Sequence, residues 1–86
     1  MKEIIWQPRA RRQLKKLRDA KATVLVVNAV ETLAAFPDVE GIKALVNHQC
    51  THRLRIGPYR VLFNAFDVIN VISIEEVKKR DEHTYK

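Results

Sequence analysis

Apolar residues in the first half of the chain recur at intervals of three and four, and in the second half at intervals of two. Ile4, Ile5 and Trp6 form a short apolar run within Lys2 to Gln7 that predicts a first strand, and Pro8 both ends it and suits the first turn of a helix. From Arg9 to about Arg18, Ala10, Leu14 and Leu17 share one helical face and leave a strongly basic outer face. Asp19 is placed to cap a second helix running to Phe36, with Ala22, Val26, Ala29, Val30, Leu33 and Phe36 on one stripe and Pro37 closing it. Within that segment Val24-Leu25-Val26-Val27 favours a strand locally. The segment's length and its five alanines, Ala20, Ala22, Ala29, Ala34 and Ala35, decide for helix. Val24, Leu25 and Val27 then fall partly off the stripe, as residues covered by a second face or a partner would.

After a turn at Pro37 to Gly41, Ile42 to Val46 reads as a short irregular or helical piece. Alternation begins at Arg53-Leu54-Arg55-Ile56, Gly57-Pro58 forms a two-residue turn with glycine first, and Tyr59 to Phe66 is the return strand. Asp67-Val68 makes a second turn before a third strand, Ile69 to Val77. The expected fold is α+β: an N-terminal strand, two helices, then a C-terminal antiparallel β-meander, all in one domain spanning residues 1–86.

The two-residue turn fixes a register. Ile56 opposes Tyr59, Arg55 opposes Arg60, Leu54 opposes Val61 and Arg53 opposes Leu62, and opposed residues share a face. Leu54, Ile56, Tyr59, Val61 and Phe63 then line the core side, while Arg53, Arg55 and Arg60 share the other. Directly opposed arginines repel one another unless something negative lies close. A carboxylate from this chain, a partner or a phosphate would supply that charge, and planar guanidinium groups match phosphate oxygens in a bidentate way that lysine does not.

Charge strengthens this picture. Sixteen Lys and Arg against ten Asp and Glu give a net charge of +6. The excess is gathered at Arg9 to Lys21, at Arg53 to Arg60 and at Lys78 to Arg80, a distribution that suits an anionic partner. A single cysteine, Cys50, forms no internal disulfide, so a reducing cytoplasm is the simpler expectation. The opening residues carry no apolar signal region and no run approaches a membrane span, so no membrane association is expected. His48, His52 and His83 with Cys50 lack metal-site spacing, and neither metal nor cofactor is expected. The C-terminal stretch from Lys78 to Lys86 adds three cations, then His83 and Tyr85, groups able to move a proton or stack on a base.

The motif Arg53-Leu54-Arg55 followed by Gly57 and Tyr59-Arg60-Val61, with Lys79-Arg80-Asp81-Glu82 and Thr84-Tyr85 near the C-terminus, resembles the RelE/ParE superfamily of bacterial toxins from toxin-antitoxin pairs. The resemblance covers nearly the whole chain and implies that family's fold. For RelE-type members it implies cleavage of messenger RNA in the ribosomal A site. Carried over residue by residue, the catalytic positions are Arg60, Arg80 or its neighbour Lys79, and Tyr85, with His83 a further participant, and Arg53 and Arg55 bind RNA. The basic face of the first helix, Arg11, Arg12, Lys15 and Arg18, would hold ribosomal RNA phosphates. The implied partners are a cognate antitoxin, the ribosome and mRNA. ParE-type members of the same superfamily instead inhibit DNA gyrase without cutting RNA, and a basic nucleic-acid-binding module is a further alternative, because the fold alone does not fix activity.

A ribonuclease that uses the substrate's own 2′-OH needs a proton acceptor, cations for the charge that develops on phosphorus, and an acid for the leaving oxygen. Tyr85 and His83 are the residues here able to fill the proton-transfer roles, and Tyr85 alternatively stacks on a base. Tyr85→Phe and His83→Ala separate the readings when assayed for growth inhibition on induction. An enzyme is expected to lose activity with one or both, whereas a pure binder tolerates both.

Overall fold

The computed structural model describes residues 1–79. Five strands form one mixed sheet in the order β1-β5-β4-β3-β2, where β1 is Glu3–Trp6, β2 Ile42–Ala44, β3 His52–Ile56, β4 Tyr59–Phe66 and β5 Val71–Lys79. Strand β1 runs parallel to β5, and the other neighbours are antiparallel. Helices α1 (Pro8–Lys16) and α2 (Ala20–Glu31) pack on one face of this sheet, and a 3-10 turn, Thr32–Ala35, continues α2. The α+β fold expected from the sequence is the fold observed.

Local chemistry accounts for the element ends. Pro8 occupies the first turn of α1, where its missing N–H costs nothing. The helix stops at Lys16, earlier than the expected Arg18, because Arg18 takes a left-handed conformation (φ 51°) just beyond the Leu17 cap. Arginine has a Cβ to accommodate there, at a cost of about 1–2 kcal/mol, where glycine would have none. The Asp19 carboxylate accepts from the backbone N–H groups of Lys21 (3.0 Å) and Ala22 (3.2 Å), as its expected capping role requires.

The core joins Ala10 of α1 and Ala22, Val26 and Val30 of α2 to Leu54, Ile56, Tyr59, Val61, Phe63, Ile72, Ile74 and Val77 of the sheet. Phe63 is fully buried and meets Phe36 edge-on, while the His52 ring stacks on it at 5.5 Å. The hairpin register is the one expected: Arg55 opposes Arg60, and Ile56 opposes Tyr59. Gly57 adopts φ 54° and Pro58 supplies a fixed negative φ, the combination that a glycine-first hairpin turn needs.

Three further features depart from the expectation. Ile42–Ala44, read as irregular or helical, is edge strand β2, paired with β3 through Ile42 opposite Leu54 and Lys43 opposite Arg53. Gly41 makes the approach to this strand feasible, because at φ 84° a Cβ would stand 3.0 Å from the Arg55 carbonyl oxygen. Strand β5 starts at Val71 instead of Ile69 and extends to Lys79, past Val77. A β-bulge also interrupts β5: Leu62 opposes Glu76 and Phe63 opposes Ile74, so Glu75 is an inserted residue. Beyond the bulge β1 has ended, and the Val77 N–H that it no longer reaches donates instead to Gln13 Oε1 of α1 at 2.7 Å.

These contacts set the scale of two stability changes. Phe63→Ala is expected to cost about 3–5 kcal/mol and Asp19→Ala about 1 kcal/mol, both measured by denaturant unfolding. Equal effects of the two substitutions would contradict this assignment of core and cap.

Candidate anion-binding site

Because opposed residues share a face, three registers determine what lies on the sheet surface away from the helices. Arg55 opposes Arg60, and Arg60 opposes Lys78 on its other side. Three cations from β3, β4 and β5 therefore stand side by side, all exposed. One row further in, Lys43, Arg53, Leu62 and Glu76 run across four strands. Arg53 is half-buried and donates from a guanidinium nitrogen to the Gly41 carbonyl at 3.4 Å. The site thus holds Arg53, Arg55 and Arg60 as the sequence indicated, and adds Lys43 and Lys78.

Counter-charge on this face is sparse. Glu76 Oε1 lies 3.8 Å from Lys78 Nζ and 4.0 Å from a guanidinium nitrogen of Arg9. Among the described residues, no carboxylate lies within ion-pair distance of Arg53, Arg55 or Arg60. Direct cross-strand opposition of like charges costs up to about 1 kcal/mol per pair, and an anion placed between them would remove that cost.

Other expected site residues fall elsewhere. Lys79 opposes Tyr59, a core residue, so the register sets it on the opposite side of the sheet from Arg60. Arg80, His83 and Tyr85 lie outside the described residues. Arg11, Arg12, Lys15 and Arg18 are exposed on or just after α1, which belongs to the helical layer. Of the α1 cations, Arg9 is the one that reaches the sheet's cationic face, through Glu76. His48 Nδ1 accepts from the Cys50 N–H at 2.9 Å and shapes the loop, while His52 packs on Phe63 and Phe36. Among the described residues, no group of three His, Cys, Asp or Glu side chains is arranged to hold a metal ion.

Beside the cationic row a polar network crosses the same face. Gln7 Nε2 donates to Ser73 Oγ (2.7 Å), which donates to Glu75 Oε2 (2.6 Å), and Asn64 Nδ2 donates to that same oxygen (3.4 Å). Asn64 Oδ1 in turn accepts from the Thr51 N–H. Cys50 is buried here, and its thiol is pushed above its ordinary pKa by burial first and then by Glu75 and Glu76. It remains a neutral thiol near pH 7 and packs as a small apolar group. On the opposite side of the molecule, Val24 and Leu25 of α2 are exposed and line an apolar groove with Ala20, Lys21 and Asn28. Val27 is half-buried.

The register makes a distinction between two adjacent lysines. Lys78→Ala is expected to weaken binding of single-stranded RNA and to lower the salt dependence by about 0.7 in the logarithmic slope, whereas Lys79→Ala has a smaller effect. Titrations at several salt concentrations check this, and a larger effect at Lys79 would contradict the arrangement of the row.

The fold has counterparts among known proteins. The family model described as ParE toxin of type II toxin-antitoxin system, parDE, matches residues 4–83. No curated protein sequence matches significantly. Among solved structures, the RelBE2 toxin-antitoxin complex from Mycobacterium tuberculosis contains a chain 27% identical to this one. The match has a TM-score of 0.80 and covers 92% of this chain and 98% of that one. The isolated RelE toxin of E. coli superposes with a TM-score of 0.79 at 15% identity, covering 95% of this chain and 87% of that one. The archaeal RelE-RelB complex from Pyrococcus horikoshii gives 0.76 at 18% identity, covering 94% of this chain and 97% of that one. The last two likenesses concern the fold. With the family model spanning all five strands and both helices, the chain belongs to the ParE toxin family of type II toxin-antitoxin systems, within the RelE/ParE superfamily.

Proposed function

We propose that this toxin is a ribosome-dependent endoribonuclease that cuts translated mRNA by attack of the substrate's 2′-OH, with Arg60 at the centre of its site. The observation that carries this reading is the Arg55-Arg60-Lys78 row, three exposed cations in direct cross-strand succession. In the reaction, the 2′ oxygen forms a bond to the adjacent phosphorus while the bond from phosphorus to the 5′ oxygen breaks. The 2′ proton passes to a base, and an acid returns a proton to the leaving oxygen. The products are a 2′,3′-cyclic phosphate and a 5′-hydroxyl. Negative charge accumulates on the non-bridging oxygens in between, and Arg60, flanked by cations on both sides, is the group that stabilises it. Arg53 and Lys43 extend the positive surface along the strand directions and hold neighbouring phosphates. Tyr85, His83 and Arg80 follow β5, whose last described residues include Lys78 of the row, and they are assigned the proton transfers and the remaining phosphate contact. Lys79, set by the register on the opposite side of the sheet from Arg60, is left out of the site.

The exposed cations of α1, Arg11, Arg12, Lys15 and Arg18, are assigned to ribosomal RNA, and the toxin acts in the cytoplasm where ribosomes translate. Its antitoxin is a protein carrying acidic and apolar side chains, the first to neutralise the cationic row and the second to cover Val24 and Leu25. The solved RelBE and RelE-RelB toxin-antitoxin complexes to which this chain is similar support such a partner. A second reading, inhibition of DNA gyrase without RNA cleavage, draws its support from the ParE description of the family model.

Induction of the wild type and of Arg60→Ala, with mapping of transcript 5′ ends in translated and untranslated messages, tests the proposal. Codon-phased cuts that require translation and fall at least a hundredfold in the variant are expected, a loss typical of removing one electrostatic transition-state contact (~10²–10³). Intact messages accompanied by gyrase-dependent DNA damage would favour the second reading.

A further inference from the structure

Past the bulge, β4 is the one strand paired with β5 among the described residues, because the β1 pairing stops at Trp6 opposite Ile74. The bulge also disrupts the ladder on the β4 side. This weakly held stretch is the one that carries Lys78 into the cationic row, and its register is decisive there. As observed, Val77 opposes Val61 in the core and Lys78 opposes Arg60. Without the inserted residue Val77 would oppose Arg60, and Lys78 would turn to the core side of the sheet.

Helix α1 fills the side that β1 leaves. Gln13 Oε1 accepts from the Val77 N–H at 2.7 Å. The Arg9 guanidinium stands 4.0 Å from Glu76 Oε1, which itself lies 3.8 Å from Lys78 Nζ. Arg9 and Gln13 are four residues apart on α1 and share one helical face. A single face of the helix therefore grips the two residues that immediately precede Lys78. The two contacts differ in weight. Arg9 is largely exposed and its ion pair is long, so water and salt weaken it. Gln13 is half-buried, and its partner Val77 is 4% exposed. A side chain without an acceptor at position 13 would leave the Val77 N–H unpaired where water reaches it poorly, a cost that the end of β5 would relieve by moving.

We propose that Gln13 is a positioning residue for the cationic row, resting for what the row does on the ribonuclease reading above. Through the Val77 N–H it holds the end of β5 in the course that sets Lys78 beside Arg60. Gln13 touches no substrate itself. It gives α1 a second task, distinct from presenting the outer cations Arg11, Arg12 and Lys15: the helix keeps the third strand of the row in place where the sheet alone holds it on one side.

The test is a set of salt titrations of a short single-stranded oligouridylate with the full chain, comparing wild type, Gln13→Met, Gln13→Glu, Lys78→Ala and the pair Gln13→Met with Lys78→Ala. Methionine keeps the side chain's length but its thioether is only a weak acceptor, while glutamate keeps an oxygen acceptor. Gln13→Met is expected to lower the logarithmic salt slope by up to about 0.7, the share of one phosphate contact on a single strand. Adding Lys78→Ala should lower it no further, and Gln13→Glu should keep the wild-type slope. A merely structural role would lower the unfolding midpoint of Gln13→Met and leave both the slope and its response to Lys78→Ala unchanged, which would overturn the proposal. Should Gln13→Met fail to fold, hydrogen exchange in the wild type decides. A Val77 amide as protected as those of the paired β4 residues supports the brace, and one exchanging as fast as an exposed loop amide overturns it. Non-additive slopes in a toxin that leaves messages uncut would defeat the ribonuclease reading and support this inference. Additive slopes in a toxin that cuts them would defeat this inference alone.

Discussion

Everything on both faces of the sheet depends on the register that Gly57 and Pro58 impose on the β3-β4 hairpin. Side chains alternate with period two, so a slip of one residue would carry Leu54, Val61 and Phe63 to the solvent face and drive guanidinium groups into the core. The buried aromatic and aliphatic side chains therefore hold the arginines in opposition. Apolar burial on one face outweighs repulsion on the other by a wide margin, since each fully buried large side chain contributes about 1.5–3 kcal/mol against at most about 1 kcal/mol for an opposed like-charged pair. The strained electrostatics of the functional face is thus stabilised from behind.

The bulge in β5 divides that face into two chemically distinct parts. Towards the Gly57 turn lie Arg55, Arg60 and Lys78. Towards the middle of the sheet, Glu75 and Glu76 sit in a polar network that includes Gln7, Ser73 and Asn64. The helical layer on the other face carries a different kind of surface, where exposed Val24 and Leu25 offer apolar area beside Lys21.

How much of this could be read from residues alone follows from the range over which each signal acts. The hairpin register was legible because a two-residue glycine-first turn leaves only one pairing, and the helices because Asp19 and Pro8 mark their starts. Strand β2 was not legible: Ile42-Lys43-Ala44 is too short to show alternation, and its pairing with β3 is determined by the close approach of Gly41 to Arg55. Lys43 was missed for that reason. Lys78 was missed as the neighbour of Arg60 because the inserted Glu75 shifts every later residue of β5, and Ser73-Ile74-Glu75-Glu76 alternates too poorly to fix a register. A signal did exist in retrospect: two consecutive glutamates inside an otherwise apolar strand place one of them on the wrong face unless the strand is interrupted.

The central claim is that Arg55 and Arg60 are held in repulsion by the fold and await an external anion. A double-mutant cycle on unfolding free energy measures it most directly, using Arg55→Gln, Arg60→Gln and the pair at low ionic strength. The account predicts an unfavourable coupling between the two arginines of a few tenths to about 1 kcal/mol that shrinks as salt or a short RNA is added. A coupling of zero or a favourable one in the free protein would contradict it, because the charge would then already be balanced within the chain.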